Sequence, residues 1–265
     1  MLNVQSLHIY PVKSLHGISV PRLRLDPWGG ENDRRWLIVD PQGQFITQRS
    51  DPVMATIRVT VTPDGLFLAC DGKNDLVVPS PQGSHSPVTV WGDTVMAVDG
   101  EESTAIWLSE VIGRPCRLVY MDQPQTARRK SWDEHDFSNS FSDGFPVLVC
   151  TTASLDDLNG RLPTAIPMAR FRPNLVIDGA EPWDEDHWLR LRIGTVELSL
   201  VKPCSRCVMT TVDQETGIIP DKKEPLRTLA TFRKQEGGVM FGQNALVSRT
   251  GTITEGDAVE VLETR

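Results

Sequence analysis

Short apolar runs that never grow long constrain this chain most. "VQSLHIYPV", "RRWLIVD", "ATIRVTVT", "LFLAC", "VTVWG", "TVMAVDG", "CRLVYMD", "PVLVCTT", "NLVIDG", "LRLRIGTVELSLV" and "DAVEVLE" follow one another, with turn chemistry such as "DPQGQ", "TPDG" and "CDGKND" between them. Runs of this length, rich in Val, Ile, Leu and aromatic residues and bounded by Gly, Pro, Asn and Asp, are strand signals. Many short strands must bury their apolar faces in a barrel or a sandwich. Helical patterning is confined to three places: "STAIWLSEVIG", ending at Gly113; "TTASLDDLNGRL", capped by Thr152 or Ser154; and "EPLRTLATFRK", with Pro225 near its first turn. The expected fold class is mainly β with a few helices (α+β). The polar stretch "TARRKSWDEHDFSNSFSDG" is predicted to be a long functional loop.

The 265 residues suffice for one large or two modest domains, and 39% hydrophobic with 23% charged residues is an ordinary globular composition. A net charge of −8 argues against a partner such as nucleic acid as polymer or an anionic membrane, while leaving room for a local basic pocket. No apolar run reaches the roughly 18 residues of a membrane span, and "MLNVQSLHIYPVKS" has no basic segment followed by an apolar one. The expectation is a cytoplasmic protein with no membrane anchor. Five cysteines, an odd and sparse set, suggest a reducing compartment.

Two of them, Cys204 and Cys207 in "KPCSRCVMTTVDQETG", form a C-x-x-C pair. A structural zinc site needs four ligands, and Cys70, Cys116 and Cys150 stand alone beside strand-like runs. An iron–sulfur cluster fails on the same count. A thioredoxin-like disulfide needs a helix after the pair, whereas "VMTTVD" is β-branched and strand-like. Two readings stay open: a single thiolate that a soft metal centre would take, favoured by Lys202 and Arg206 nearby, or an ordinary packed cysteine.

"IYPVKSLHG", "DRRWLIVD", "FSDGFPVLV" followed by "TTASLDDLN", "RFRPNLVIDG", "KPCSRCVMTTVDQETG" and "FGQNALV" ahead of "GTITEGDAVEV" occur in this order. Together they resemble the MOSC family, the molybdenum cofactor sulfurase C-terminal domain superfamily, from about Leu7 to Val261. The likeness is greatest to its amidoxime-reducing and YcbX-type branches. The resemblance implies a molybdenum–molybdopterin cofactor (Moco) with Cys207 as catalytic metal ligand, and Cys204 as a cysteine that does not ligate. It implies cofactor contacts from Lys13, Ser14 and Arg34, from Asp143, Gly144 and Phe145 in one loop, from Arg172 and Asn174 in "FRPN", and from Ser205 and Arg206. Asn244 stands where mitochondrial relatives carry a tyrosine. Arg and Lys suit a phosphate, and Asn suits the donors and acceptors of a pterin edge. Because Lys13, Ser14 and Arg34 must meet Cys207, the expected partition is a discontinuous, barrel-like MOSC domain of residues 1–35 and 118–265. A smaller N-terminal-type β module of residues 36–117 is inserted in it.

The implied activity is reduction of small N-hydroxylated substrates (amidoximes, hydroxylamines, N-hydroxylated bases and N-oxides), using two electrons and two protons and releasing water. Asp143 comes into consideration as the proton donor. No G-x-G-x-x-G fingerprint and no iron–sulfur ligand set is present. The expected partner is therefore an external electron donor, whether ferredoxin, cytochrome or flavoprotein reductase. The alternative is a non-catalytic carrier of molybdenum cofactor or of sulfur.

Overall fold

The computed structural model describes residues 1–265. Its largest sheet has nine strands. Eight follow the order Ile18–Ser19, Asn3–Ile9, Leu175–Asp178, Val147–Thr151, Gly238–Arg249, Val196–Arg206, Trp188–Ile193, Val259–Thr264, and Lys234–Gln235 pairs beside Gly238–Arg249. The two ends of this sheet meet. Val4 N donates to Asp257 O at 2.9 Å, Gly256 N to Val4 O at 2.8 Å and Val259 N to Leu2 O at 3.0 Å. The sheet thus closes on itself, which removes its open edges.

Period-two alternation decides what lies inside. Val147 and Val149, Leu175 and Ile177, and Val196, Leu198 and Leu200 point into one buried core. Leu148 and Cys150, on the opposite face of their strand, pack with Leu158, Phe171, Leu229 and Phe241 in an outer layer. The strand Val147–Thr151 is therefore buried on both faces. It runs parallel to Leu175–Asp178, and the helix Thr152–Arg161 lies in the crossover between them.

Residues from Trp36 onward build separate cores. Trp36–Val39, Arg117–Tyr120, Asp93–Asp99 and His85–Val90 form a four-stranded antiparallel sheet, and Arg58–Thr62, Gly65–Ala69 and Leu76–Pro79 a three-stranded one. The helix Glu102–Ile112 turns Leu108 and Ile112 into the core that holds Trp36, Ile38 and Leu66, and ends at Gly113 with φ 83°. The first strand belongs instead to the large sheet, and Arg22–Asp26 pairs with Gly251–Thr254.

Four local expectations need correction. The stretch predicted as a loop contains a hairpin, Arg129–Trp132 with His135–Ser138. "VMTTVD" is not a strand: Val208–Thr211 is a 3-10 turn. The third helix shrinks to one turn, Leu226–Leu229. The second helix is capped by Thr151, whose hydroxyl oxygen accepts from Ser154 N.

Candidate active site

A cleft of about 380 Å³ opens where the large sheet meets the 36–117 region, and every residue singled out in the sequence lines it. Lys13 and Ser14 come from the turn after the first strand, and Arg34 from the segment before Trp36–Val39. The 142–145 loop supplies Asp143, Gly144 and Phe145. Arg172 and Asn174 follow the 3-10 turn Met168–Phe171. Ser205 and Arg206 end the long strand Val196–Arg206, Cys207 is the next residue, and Asn244 lies on the neighbouring strand. Strand Val196–Arg206 changes register between Leu200 and Lys202 and again between Pro203 and Ser205. Bulges of this kind redirect side chains and tolerate a proline inside a sheet.

Ser14, Arg34 and Arg172 share an uncommon backbone state, with φ of 66°, 48° and 56°. For non-glycine residues the left-handed region costs about 1–2 kcal/mol each and persists only where surrounding bonds enforce it. With Trp91 at 57°, four of the seven non-glycine residues in this state line the cleft.

Asp143 is the hub of the cationic side. Its carboxylate accepts from Lys13 Nζ, from Arg49 Nη2 at 2.8 Å and from Trp91 Nε1 at 3.2 Å. Burial alone would raise its pKa, but Lys13 and Arg49 outweigh that and hold the carboxyl well below the usual range. In this arrangement the Asp143 carboxylate acts as an acceptor for Lys13, Arg49 and Trp91. Burial pulls Lys13 down to about 8 against the attraction of Asp143. Lys13 Nζ also donates to Phe141 O at 2.7 Å.

Behind this lies a rigid polar floor. Arg34 Nη1 reaches Asp33 Oδ2 at 2.7 Å and Asn174 Oδ1 at 3.0 Å, and its Nη2 donates to Arg172 O at 3.1 Å. Asn174 Oδ1 also accepts from Leu148 N at 3.2 Å, and its Nδ2 donates to His8 O at 3.2 Å. The Asn174 amide is therefore occupied within the protein. Arg172 Nη1 donates to Gln214 Oε1 at 2.9 Å, and Gln214 exchanges amide bonds with Gln48 at 3.0 and 3.1 Å. The guanidinium carbons of Arg34 and Arg172 lie 4.2 and 4.1 Å from the centre of the Tyr10 ring. Burial pushes that phenol up to about 12 despite the two cations.

The two thiols are held differently. Arg206 Nη1 lies 2.9 Å from Cys204 Sγ, and Arg206 Nη2 donates to Phe171 O at 2.6 Å. Cys204 packs against the Phe171 layer. Cys207 Sγ instead receives Arg49 Nε at 3.3 Å. Several buried donors along the cleft have no protein partner: Ser14 Oγ, Arg49 Nη1, Arg172 Nη2 and Arg206 Nε. A Cβ added to Gly144 would meet nothing within 4 Å, so the space beside that backbone is open.

Arg49, Trp91 and Arg170 also line the cleft and went unnoticed in the sequence, as did the role of Arg128. Arg128 is fully buried, pairs with Asp93 Oδ2 at 2.8 Å, and donates to the carbonyls of Ser140, Ser142 and Asp143, which shapes the loop. A lone Arg or Trp in "TQRSD" or "VWGD" carries no spacing that sets it apart.

Residues 136–260 match the family model described as MOSC domain, and residues 1–115 the model described as MOSC N-terminal beta barrel domain. Mitochondrial amidoxime-reducing component 1 of Mus musculus is 36% identical over 98% of this chain and 82% of its own length. Its Homo sapiens counterpart is 35% identical over the same shares. Molybdenum cofactor sulfurase of Oryza sativa subsp. japonica is 33% identical over 91% of this chain and 32% of its own length. With both models matched in order and identity sustained along almost its whole length, the chain belongs to the MOSC family.

Proposed function

We propose that the chain is a molybdenum-cofactor-dependent reductase of N-hydroxylated compounds that takes electrons from a separate donor protein. The relatives named as amidoxime-reducing components support the reaction class. The observation that carries the reading is the convergence of Cys207 with the unpartnered donors of Ser14, Arg49, Arg172 and Arg206 in one cleft. Buried donors without partners are costly unless a ligand satisfies them.

The chemistry of the donor set fits a pterin-held metal. No three His, Cys, Asp or Glu side chains come together as a ligand set. A metal at Cys207 would bring most of its ligands with it, as the dithiolene of molybdopterin does. Thiolate is a suitable soft ligand to complete that sphere. When bound, the cofactor supplies two-electron reduction of an N–O bond.

The chain's own residues bind and orient. Arg172 Nη2 and Arg49 Nη1 each offer one unpartnered guanidinium nitrogen to an anionic group. Ser14 Oγ and the open backbone at Gly144 suit a polar ring edge. Arg34 and Asn174 act from behind, fixing the backbone of Arg172 and of Leu148.

The test is reconstitution of molybdenum-loaded protein with benzamidoxime. Reduced viologen, or a small redox protein with its reductase, is expected to sustain turnover, and NADPH alone is not. Turnover with NADPH and no added protein would refute the separate donor. No turnover with any reductant, at full cofactor loading, would favour the carrier reading.

A further inference from the structure

The hairpin Arg129–Ser138 leans over one end of the cleft through aromatic contacts. Trp132 meets Phe145 edge-on, with ring centres 6.0 Å apart at 77°, and Phe145 stacks on Phe137 at 5.4 Å and 17°. Phe145 lines the cleft, and so does Lys202, whose Nζ sits 3.6 Å from the centre of the Trp132 ring. Lys13, Arg34, Arg49 and Arg170 each have a carboxylate partner. Arg172 and Arg206 lack one but are held by Gln214 and by Cys204 and Phe171 O, whereas Lys202 has no carboxylate and only an aromatic face meets its ammonium. In a chain of net charge −8, a cation without an anionic partner at a cleft wall is a recognition element in waiting. An ammonium over a ring keeps donors for an anion, and the neighbouring aromatic surfaces favour a flat ring.

We propose that Lys202, Trp132 and Phe145 form a substrate subsite that selects planar aromatic N-hydroxylated compounds bearing an anionic substituent. This rests on the reductase reading above and adds the substrate class to it. The register of strand Val196–Arg206 shifts between Leu200 and Lys202, directly beside this contact. Phe145 supplies the apolar wall, Trp132 backs both Phe145 and the Lys202 ammonium, and Lys202 sets the charge.

The experiment compares kcat/KM for 4-carboxybenzamidoxime and benzamidoxime in the molybdenum-loaded protein, Lys202→Gln and Lys202→Arg, with pterin content measured for each. The native protein is expected to favour the carboxylated compound by about tenfold, the size of one charge-assisted contact. Lys202→Gln should bring that ratio close to one, and Lys202→Arg should keep most of it. A native ratio near one would overturn the subsite, and so would equal loss on both compounds with loss of pterin, which would make Lys202 a cofactor contact. Calorimetric binding of 4-carboxybenzamide against benzamide to the same three proteins separates this proposal from the reductase reading. If neither amidoxime is reduced, the reductase reading fails. The subsite still stands if the carboxylated amide binds more tightly and Lys202→Gln removes the difference, and falls if it does not.

Discussion

Arg49 Nε lies 3.3 Å from Cys207 Sγ, across 158 positions of sequence. The nearer arginine in the chain, Arg206, serves Cys204 instead. Arg49 also grips Asp143 through Nη2 and stacks near Trp91, with 4.8 Å from its guanidinium carbon to the ring centre. One side chain from the 36–117 region thus ties the second thiol to the 142–145 loop. The link gives a physical reason for that region to belong to the site.

Arg49→Lys keeps a charge but loses the fork, and Arg49→Met loses both. Groups that orient a metal ligand typically change metal affinity or activity by about 10–100-fold when removed. We expect Arg49→Met to lower bound molybdenum and turnover within that range, and Arg49→Lys to lower them less. Metal analysis and steady-state rates on the same preparations check this, with circular dichroism as the control for folding.

The thiols should separate cleanly. Cys207→Ser is expected to abolish molybdenum-dependent turnover, because a neutral hydroxyl is a poor ligand for a soft centre. Cys204→Ser should retain most of it, since Cys204 is bound by Arg206 and packed against the Phe171 layer. Equal loss in both variants would point to a dithiol or persulfide chemistry instead.

Part of this was legible in sequence because apolar alternation is a direct record of burial: Val196, Leu198 and Leu200 enter the core, while Glu197 and Ser199 between them do not. The hairpin Arg129–Ser138 was not, because "RKSW" and "HDFS" pair only with each other and are anchored by single aromatics, Trp132 and Phe137. The turn after Cys207 hid for another reason. Thr210 Oγ1 donates to Cys207 O at 2.9 Å and Thr211 Oγ1 to Val208 O at 2.8 Å. Such local bonds override the strand preference of β-branched residues. Arg49 left no pattern at all; its partners are fixed by tertiary contact alone.

Asn174 and Ser205 both line the cleft but should behave differently when trimmed. Asn174 is buried, and its amide bonds to Arg34, Leu148 N and His8 O. Asn174→Ala leaves those buried groups short of partners and is expected to cost about 2–4 kcal/mol of stability. Ser205 is exposed and bonds only to Gly237 O, so Ser205→Ala should stay within about 0.5 kcal/mol. Urea unfolding of the cofactor-free proteins measures both.

The Lys13–Asp143 pair makes a prediction about pH. The folded pKa of Lys13 is pulled from 10.5 to about 8, so between those values the unfolded chain binds more protons than the folded one. Stability attributable to Lys13 therefore rises with pH across that window: the cost of burying the ammonium is fully present below about 8 and gone above 10.5. Asp143 works in the opposite sense, since its depressed pKa contributes stability that is lost only as pH falls below the usual carboxylate range. Asp143→Asn removes the carboxylate and leaves Lys13 without its ion-pair partner, while the Lys13 side chain remains only 6% exposed. Its pKa should drop further, and the window over which deprotonation relieves the strain should extend to lower pH. We expect Asp143→Asn to be much less stable than the native chain at pH 6 and to recover most of the difference by pH 10. Denaturant unfolding at the two values decides it. A deficit that stays constant across that range would mean that Lys13 is not the buried cation that Asp143 compensates.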